Sequence, residues 1–289
     1  MSNKKKLFED VMHAIFLILG LVCVASVLII SIYLIISGIP AIKEIGLFDF
    51  LFGTKWETSG ADQAFGILSF ILTSIYGTCG AIIIGAPIGF FCAVYLSKFA
   101  PLWLRNMTER AVGILAGIPS VVYGLVGMLV LVPAIRKIFS VPDGASLLAA
   151  MIVLAVMVLP SIIKVSITAL DAVPREYEEA SLALGATDTE TYFRVSVPAA
   201  KSGITAAVVL GVGRAIGEAM AVMMVSGNVA NMPSLFESVR FLTTAIASEM
   251  SYSSGLARQA LFSIALVLFV FIMLINATLN FFLKRKKEK

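Results

Sequence analysis

Charge is what this 289-residue chain has least of: 14% of its residues are charged, 59% are hydrophobic and the mean hydropathy is +0.98. A soluble domain carries about 25% charged and about 45–50% apolar residues. The balance here leaves too much apolar surface for one water-facing core, and it points to helices whose outer sides meet lipid. Histidine occurs once, as His13, and cysteine three times, as Cys23, Cys79 and Cys92, all in or beside apolar runs. Their spacing suits no metal, and the cysteines read as small hydrophobes. The patterns H-E-x-x-H and G-x-S-x-G are missing, as are paired aspartates within apolar runs, which argues against an intramembrane hydrolase. The only Lys-Ser pair, Lys201-Ser202, follows Ala200 rather than glycine. Without the glycine-rich phosphate cradle the chain cannot hydrolyse ATP itself.

What is present is a set of long apolar runs. A spanning helix needs about 20 apolar residues. Six runs qualify, near 14–37, 67–97, 111–132, 145–163, 203–227 and 257–283. Barrel strands would show alternating segments of about ten residues, and none occur. The expected fold is therefore all-α, a polytopic membrane protein with six transmembrane helices. Lys4, Lys5 and Lys6 precede the first run, which is longer than a signal-peptide core of about 7–15 residues, so it is expected to stay as a span. The expected organisation is a tail, first span and external loop over 1–66, a five-span core over 67–283, and a basic tail over 284–289.

Basic residues set the expected orientation. With the N-terminus inside, 15 of the 22 Lys and Arg lie in cytoplasmic segments and six outside, with Arg214 within a span. Both termini are then expected to be cytoplasmic. Two external loops are long, 38–66 and 228–256. In the second, Leu235, Val239, Leu242 and Ile246 have helical spacing, which suits either a helix on the membrane surface or a docking surface.

The longest cytoplasmic segment, 164–202, reads as helix, glycine turn, helix. Pro174 suits a first helical turn and Gly185 its end. Glu176, Glu178 and Glu179 suit the positive end of the helix dipole. Tyr177, Ala180, Ser181 and Leu184 share a face. Thr187 and Glu190 form a capping box for the second helix, and Pro198 marks its end or the turn into the fifth span. So short a pair needs another surface to pack on, either its own bundle or a partner.

In this segment Glu179, Ala180 and Ser181 are followed by Gly185 and then by Val195, Val197 and Pro198. That spacing resembles the EAA loop of ABC importer permeases, with serine for the second alanine and valines for isoleucine and leucine. The resemblance implies that Glu179, Ala180, Ser181, Gly185 and Pro198, within a loop at about 174–198, dock on a separate ATPase subunit.

Arg214 and Glu218 stand near the middle of the fifth run. Each charge there costs about 2.5–3.5 kcal/mol on insertion scales, and four residues apart on a helix they can pair. One reading is a buried pair that locks two helices. The other is a pathway in which the arginine fork meets a passing oxyanion while Glu218 orients and partly neutralises it. Gly211, Gly213 and Gly217 would let a helix or a substrate approach. Ser120 and Tyr123, after Pro119, could add hydroxyls to the pathway, though single polar residues in a spanning helix more often bond to the backbone or across helices.

The block GVGRAIGEAMAV around the pair resembles phosphate-specific transport permeases of the PstC type. So do FGILSFILTSIYGT at 65–78 and GIPSVVYGL at 117–125. The resemblance implies the permease core of an ATP-driven importer for inorganic phosphate, with Arg214 and Glu218 on the substrate pathway. It implies a homologous permease of the PstA type, an ATPase dimer carrying ATP and magnesium, and an extracytoplasmic phosphate-binding protein as partners. No cofactor in this chain and no nucleic acid are expected. The alternatives are a permease for sulfate, molybdate or another small solute, or a membrane signalling scaffold.

Overall fold

The fold follows from where apolar runs are broken by proline, glycine and buried polar contacts. The structure, a computed structural model, describes residues 3–58 and 63–285. The lysine-rich ends invoked for orientation fall outside the described side chains.

In chain order, α1 (Asn3–Ile45) leads to the short α2 (Leu47–Phe52) and a two-stranded hairpin, β1 (Trp56–Glu57) and β2 (Ala64–Phe65). Its register pairs Trp56 with Phe65 and Glu57 with Ala64. Next come α3 (Leu68–Val94), widening into a π-helix over Tyr95–Phe99, and α4 (Leu102–Gly117). A broken span follows: α5 (Ser120–Val126), a π-helical turn over Gly127–Leu131 and α6 (Val132–Phe139). After α7 (Leu147–Asp171) come α8 (Arg175–Ala183), α9 (Asp188–Thr191), a third π-helix (Tyr192–Ser196) and α10 (Val197–Ala199). The chain ends with α11 (Lys201–Gly217), α12 (Met220–Val225), α13 (Leu242–Glu249) and α14 (Gly255–Arg285).

Among the described residues five helices are long and apolar enough to cross a membrane, and the bent pair Asp188–Ala199 with Lys201–Gly217 makes a sixth when counted as one span. The six-span, all-α expectation holds, but several bounds shift. The run at 111–132 is not one helix. Ile118 and Pro119 are extended (ψ 129° and 140°) because proline drives the residue before it out of the helical region. The span is Ser120–Phe139, and α4 is a separate helix. The fourth span runs on to Asp171 rather than stopping near 163, since Ile163, Ile167 and Leu170 continue its buried side. The fifth is cut at Glu218, which is extended (ψ 130°). The helix expected across 235–246 starts only at Leu242. Val239 is fully buried and forms a bridge with Gly227, so the apolar spacing there marks burial, not a surface helix.

Three apolar clusters lie along the bundle. At the hairpin end, Phe50, Ile67, Phe70, Leu242 and Leu261 pack together. The middle is built on α7, with Ala150, Leu154 and Val158 against Ala81, Ala221 and Val225. At the end carrying residues 172–200, Val94, Leu96, Ile167 and Leu170 pack with Ala200. The helix α1 has almost no buried residues and leans on α14, where a side chain on Gly38 would press on the Phe262 carbonyl oxygen at 3.0 Å. Close backbone approach at small residues is how helices associate in lipid.

Candidate functional site

Two assemblies of polar side chains stand out. The first is the α8–α10 segment. Pro174 is the N-cap of α8, and Glu176 and Glu178 fill the first turn, as expected for the positive end of the dipole. Gly185 adopts φ +87°, so the helix closes as a Schellman motif, with Ala186 N donating to Ser181 O (3.3 Å) and Gly185 N to Leu182 O (2.9 Å). The capping box is formed: Glu190 N donates to Thr187 Oγ1 at 3.3 Å and Thr187 N to Glu190 Oε2 at 3.2 Å. The Thr187 N–H and the Thr187 hydroxyl (3.2 Å) both donate to the Glu190 carboxyl and hold it below its usual range.

No residue of α8 is buried. Tyr177 is 56% and Leu184 90% exposed, so the expected apolar face points away from the bundle and is available to another surface. Ser181 differs: its hydroxyl lies 2.9 Å from that of Thr191 and ties α8 to α9. This gives a structural reason for serine in place of alanine. Glu179 is exposed and borders the polar pocket described next. Pro198 lies in α10, just before the 69° bend into α11.

Sequence reasoning missed the residue that anchors α8. Glu178 accepts from Lys98 Nζ at 2.6 Å and from Ser196 Oγ at 2.7 Å. Lys98 lies in the π-helix that ends α3 and Ser196 in the π-helix before α10. One carboxylate therefore joins α8 to two other elements. Burial would raise the Glu178 carboxyl, but hydrogen bonds from Lys98 and Ser196 and the charges of Lys98 and Arg175 outweigh it and hold it below its ordinary value. Phe99 and Tyr192 meet edge to face at 5.1 Å, and Lys98 lies 5.9 Å from the Tyr192 ring centre. Beside this, Asp171 accepts from Ser97 Oγ (2.7 Å) and Arg105 Nη2 (2.5 Å), while Arg105 Nε donates to Glu109 (2.7 Å). The ends of α3, α4 and α7 are thus cross-linked around a pocket of about 420 Å³ that also reaches Glu179. No spacing rule reaches across 80 residues to pair Lys98 with Glu178.

The second assembly surrounds Arg214. The expected Arg214–Glu218 pair does not form. With α11 ending at Gly217, the two side chains no longer share a helix face. Glu218 Oε1 instead accepts from Ala221 N at 3.0 Å, capping α12, and its backbone carbonyl accepts from Thr243 Oγ1 at 2.7 Å. Arg214 Nη1 donates to Ser161 Oγ of α7 at 3.2 Å. Arg214, Ser161, Gly213 and Asn276 of α14 line one cavity of about 650 Å³. Side chains built on Gly213 and Gly217 would meet nothing within 4 Å, whereas Gly211 packs on Ile162. The first two glycines therefore border open space and the third allows helix contact. Tyr123 donates to the Leu115 carbonyl (2.8 Å), in keeping with a bond inside the bundle. No group of His, Cys, Asp and Glu suited to a metal occurs among the described residues.

Comparison with known proteins places this geometry. Residues 85–288 match the family described as binding-protein-dependent transport system inner membrane component. A probable ABC transporter permease protein, YqgH of Bacillus subtilis, is 38% identical over 273 residues, covering 93% of this chain and 88% of its own. The phosphate transport system permease protein PstC of Haemophilus influenzae is 34% identical over 277 residues, covering 89% and 86%. Among solved structures, an inward-facing MetNI methionine ABC transporter superposes with a TM-score of 0.56 at 20% identity, over 76% of this chain and 94% of that one.

Proposed function

Because this chain belongs to the family of binding-protein-dependent transport inner membrane components, we propose that it is the pathway-forming permease of an ATP-driven importer for inorganic phosphate. Its partners on this reading are a homologous permease, a dimer of ATPase subunits and an extracytoplasmic phosphate-binding protein. Both termini are cytoplasmic, so α8 faces the ATPase. The observation that carries the reading is Arg214, a guanidinium among apolar spanning helices with one hydroxyl partner and, among the described residues, no carboxylate beside it. A cation placed so at depth is costly unless it serves a substrate or a pair, and the pair is not formed. Its fork suits a tetrahedral oxyanion, and the resemblance to proteins named phosphate transport system permeases supports phosphate as that anion.

Motion reaches the pathway through the chain itself. Movement of α8 in an ATPase cleft pulls Lys98 and Ser196 through Glu178, and with them the ends of α3 and of the α10–α11 bend. Rigid elements joined at a few hinges can convert such motion into opening and closing. The broken span at Glu218–Ala219 is one such joint, held by its cap and by Thr243.

The test is ATP-driven uptake of radiolabelled phosphate into vesicles holding the whole complex, with excess sulfate as competitor, for the wild type and Arg214→Gln. Uptake that resists sulfate and falls at least about tenfold in the variant, as loss of a charged contact would give, supports the assignment. Uptake unchanged by the variant removes Arg214 from the pathway. Absence of phosphate uptake in the wild type overturns the substrate.

A further inference from the structure

Three apolar helices each place one polar side chain in the same cavity: Ser161 from α7, Arg214 from α11 and Asn276 from α14. The rest of its described lining, Ala206, Val209, Leu210 and Gly213, offers no polar side chain. Polar groups in a spanning helix usually bond inside the bundle. Four other hydroxyls of this chain do so by turning back on their own helix: Ser26, Ser31, Thr168 and Thr205 each donate to the carbonyl four residues earlier, while Ser69, Thr73 and Ser166 are buried without a partner among the described residues. Ser161 does neither. It accepts from Arg214, and among the described residues nothing accepts its own proton. Asn276 likewise has no hydrogen-bond partner among the described residues.

We propose that Ser161 and Asn276 complete, with Arg214, a three-helix seat that hands a tetrahedral oxyanion through the chain. The inference rests on the importer reading above. Arginine has five N–H donors, and the one turned to Ser161 leaves the others for a guest. The Ser161 hydroxyl and the Asn276 amide add donors from two other directions, which matches the several oxygens of a tetrahedral anion. Among the described residues no carboxylate lines the cavity, and Glu218 is turned to cap α12. The volume of about 650 Å³ leaves room for the anion and part of its hydration shell. A seat of one charge and two neutral donors attracts an anion without binding it too tightly to release, as conduction through a pore requires.

The experiment uses the complete complex in vesicles and measures phosphate delivered per ATP hydrolysed at saturating binding protein, so that capture outside the membrane does not set the rate. Ser161→Ala and Asn276→Leu should each lower delivery about tenfold or more, the scale of one lost hydrogen bond to a charged group, while ATP hydrolysis stimulated by the binding protein persists. Ser161→Thr and Asn276→Gln, which keep the hydroxyl and the amide, should restore most of the delivery. Ser161→Asp, which would pair with Arg214, should stop it. Delivery within about twofold of wild type in Ser161→Ala and Asn276→Leu, with the wild type transporting phosphate, overturns the seat and leaves the importer reading standing. If the leucine variant does not assemble, failure of Asn276→Gln to outperform Asn276→Thr overturns the amide's role. A wild-type complex that moves no phosphate overturns the importer reading and the seat with it.

Discussion

Replacing Glu178 by glutamine keeps the shape of the side chain and removes its charge from the junction of α8, Lys98 and Ser196. The cost can be bracketed from the structure. The Lys98 and Glu178 side chains are 11% and 18% exposed at a separation of 2.6 Å. Exposed ion pairs contribute up to about 1 kcal/mol, and breaking a fully buried pair costs about 3–5 kcal/mol. A largely buried pair with a second donor, Ser196, falls between, at about 2 kcal/mol, or about 30-fold in the equilibrium between anchored and released α8. Hydrogen exchange of backbone amides across residues 175–200, in the assembled complex in lipid nanodiscs, reads that equilibrium. Exchange should rise by about that factor in Glu178→Gln and in Lys98→Met. The double variant should exchange less than the product of the two effects, since each single change already removes the shared contact. The pH dependence has a defined sign. The folded carboxyl lies below its ordinary value, so the stabilisation is complete above the carboxylate's unfolded pKa and is lost as pH falls through the folded one. Protection should therefore be flat from neutral pH upwards and decline only in acid. Unchanged exchange in Glu178→Gln, or strictly multiplicative effects in the double variant, would refute the anchoring role.

Thr187→Ala removes one half of the capping box and should destabilise the α9 turn by about 1 kcal/mol, seen as faster exchange at the first amides of α9. Gly185→Ala should cost the α8–α9 turn about 1–2 kcal/mol through its positive φ alone, because a side chain there meets nothing within 4 Å. Asparagine at the same place should cost less, and equal melting temperatures for glycine and alanine variants would contradict this. Leu184→Asp changes a residue that is 90% exposed. It should leave the isolated permease pair as stable as wild type while lowering co-purification of the ATPase at least about tenfold, and unaltered capture would mean that α8 is not the docking surface.

How far the sequence reached differs from element to element. Composition and run length determined that this is a polytopic helical protein, because only a closed hydrogen-bonded helix satisfies its backbone in lipid. Local rules determined the segment from Pro174 to Pro198 equally well. A cap, a box and a glycine turn are contacts between residues within five positions of one another, so Pro174, Gly185, Thr187 and Glu190 could be placed from spacing alone.

The interruptions were harder. Apolar runs at 111–132 and 203–227 look continuous to hydropathy, yet backbone breaks at Ile118–Pro119 and Glu218–Ala219 divide them. The second break is stabilised by Ala221 and Thr243, and the Thr243 contact spans 25 residues of sequence. It also separates Arg214 from Glu218, which four-residue spacing had placed together. The sequence by itself determined which residues carry charge and donors in an apolar chain, since that is a matter of composition. Only the tertiary structure decided what those groups face: Lys98 with Glu178, Arg214 with Ser161 and, across the cavity, Asn276. Such contacts are set by how helices cross, and crossing depends on the packing of small and large side chains summed over the whole bundle, which no local window of sequence contains.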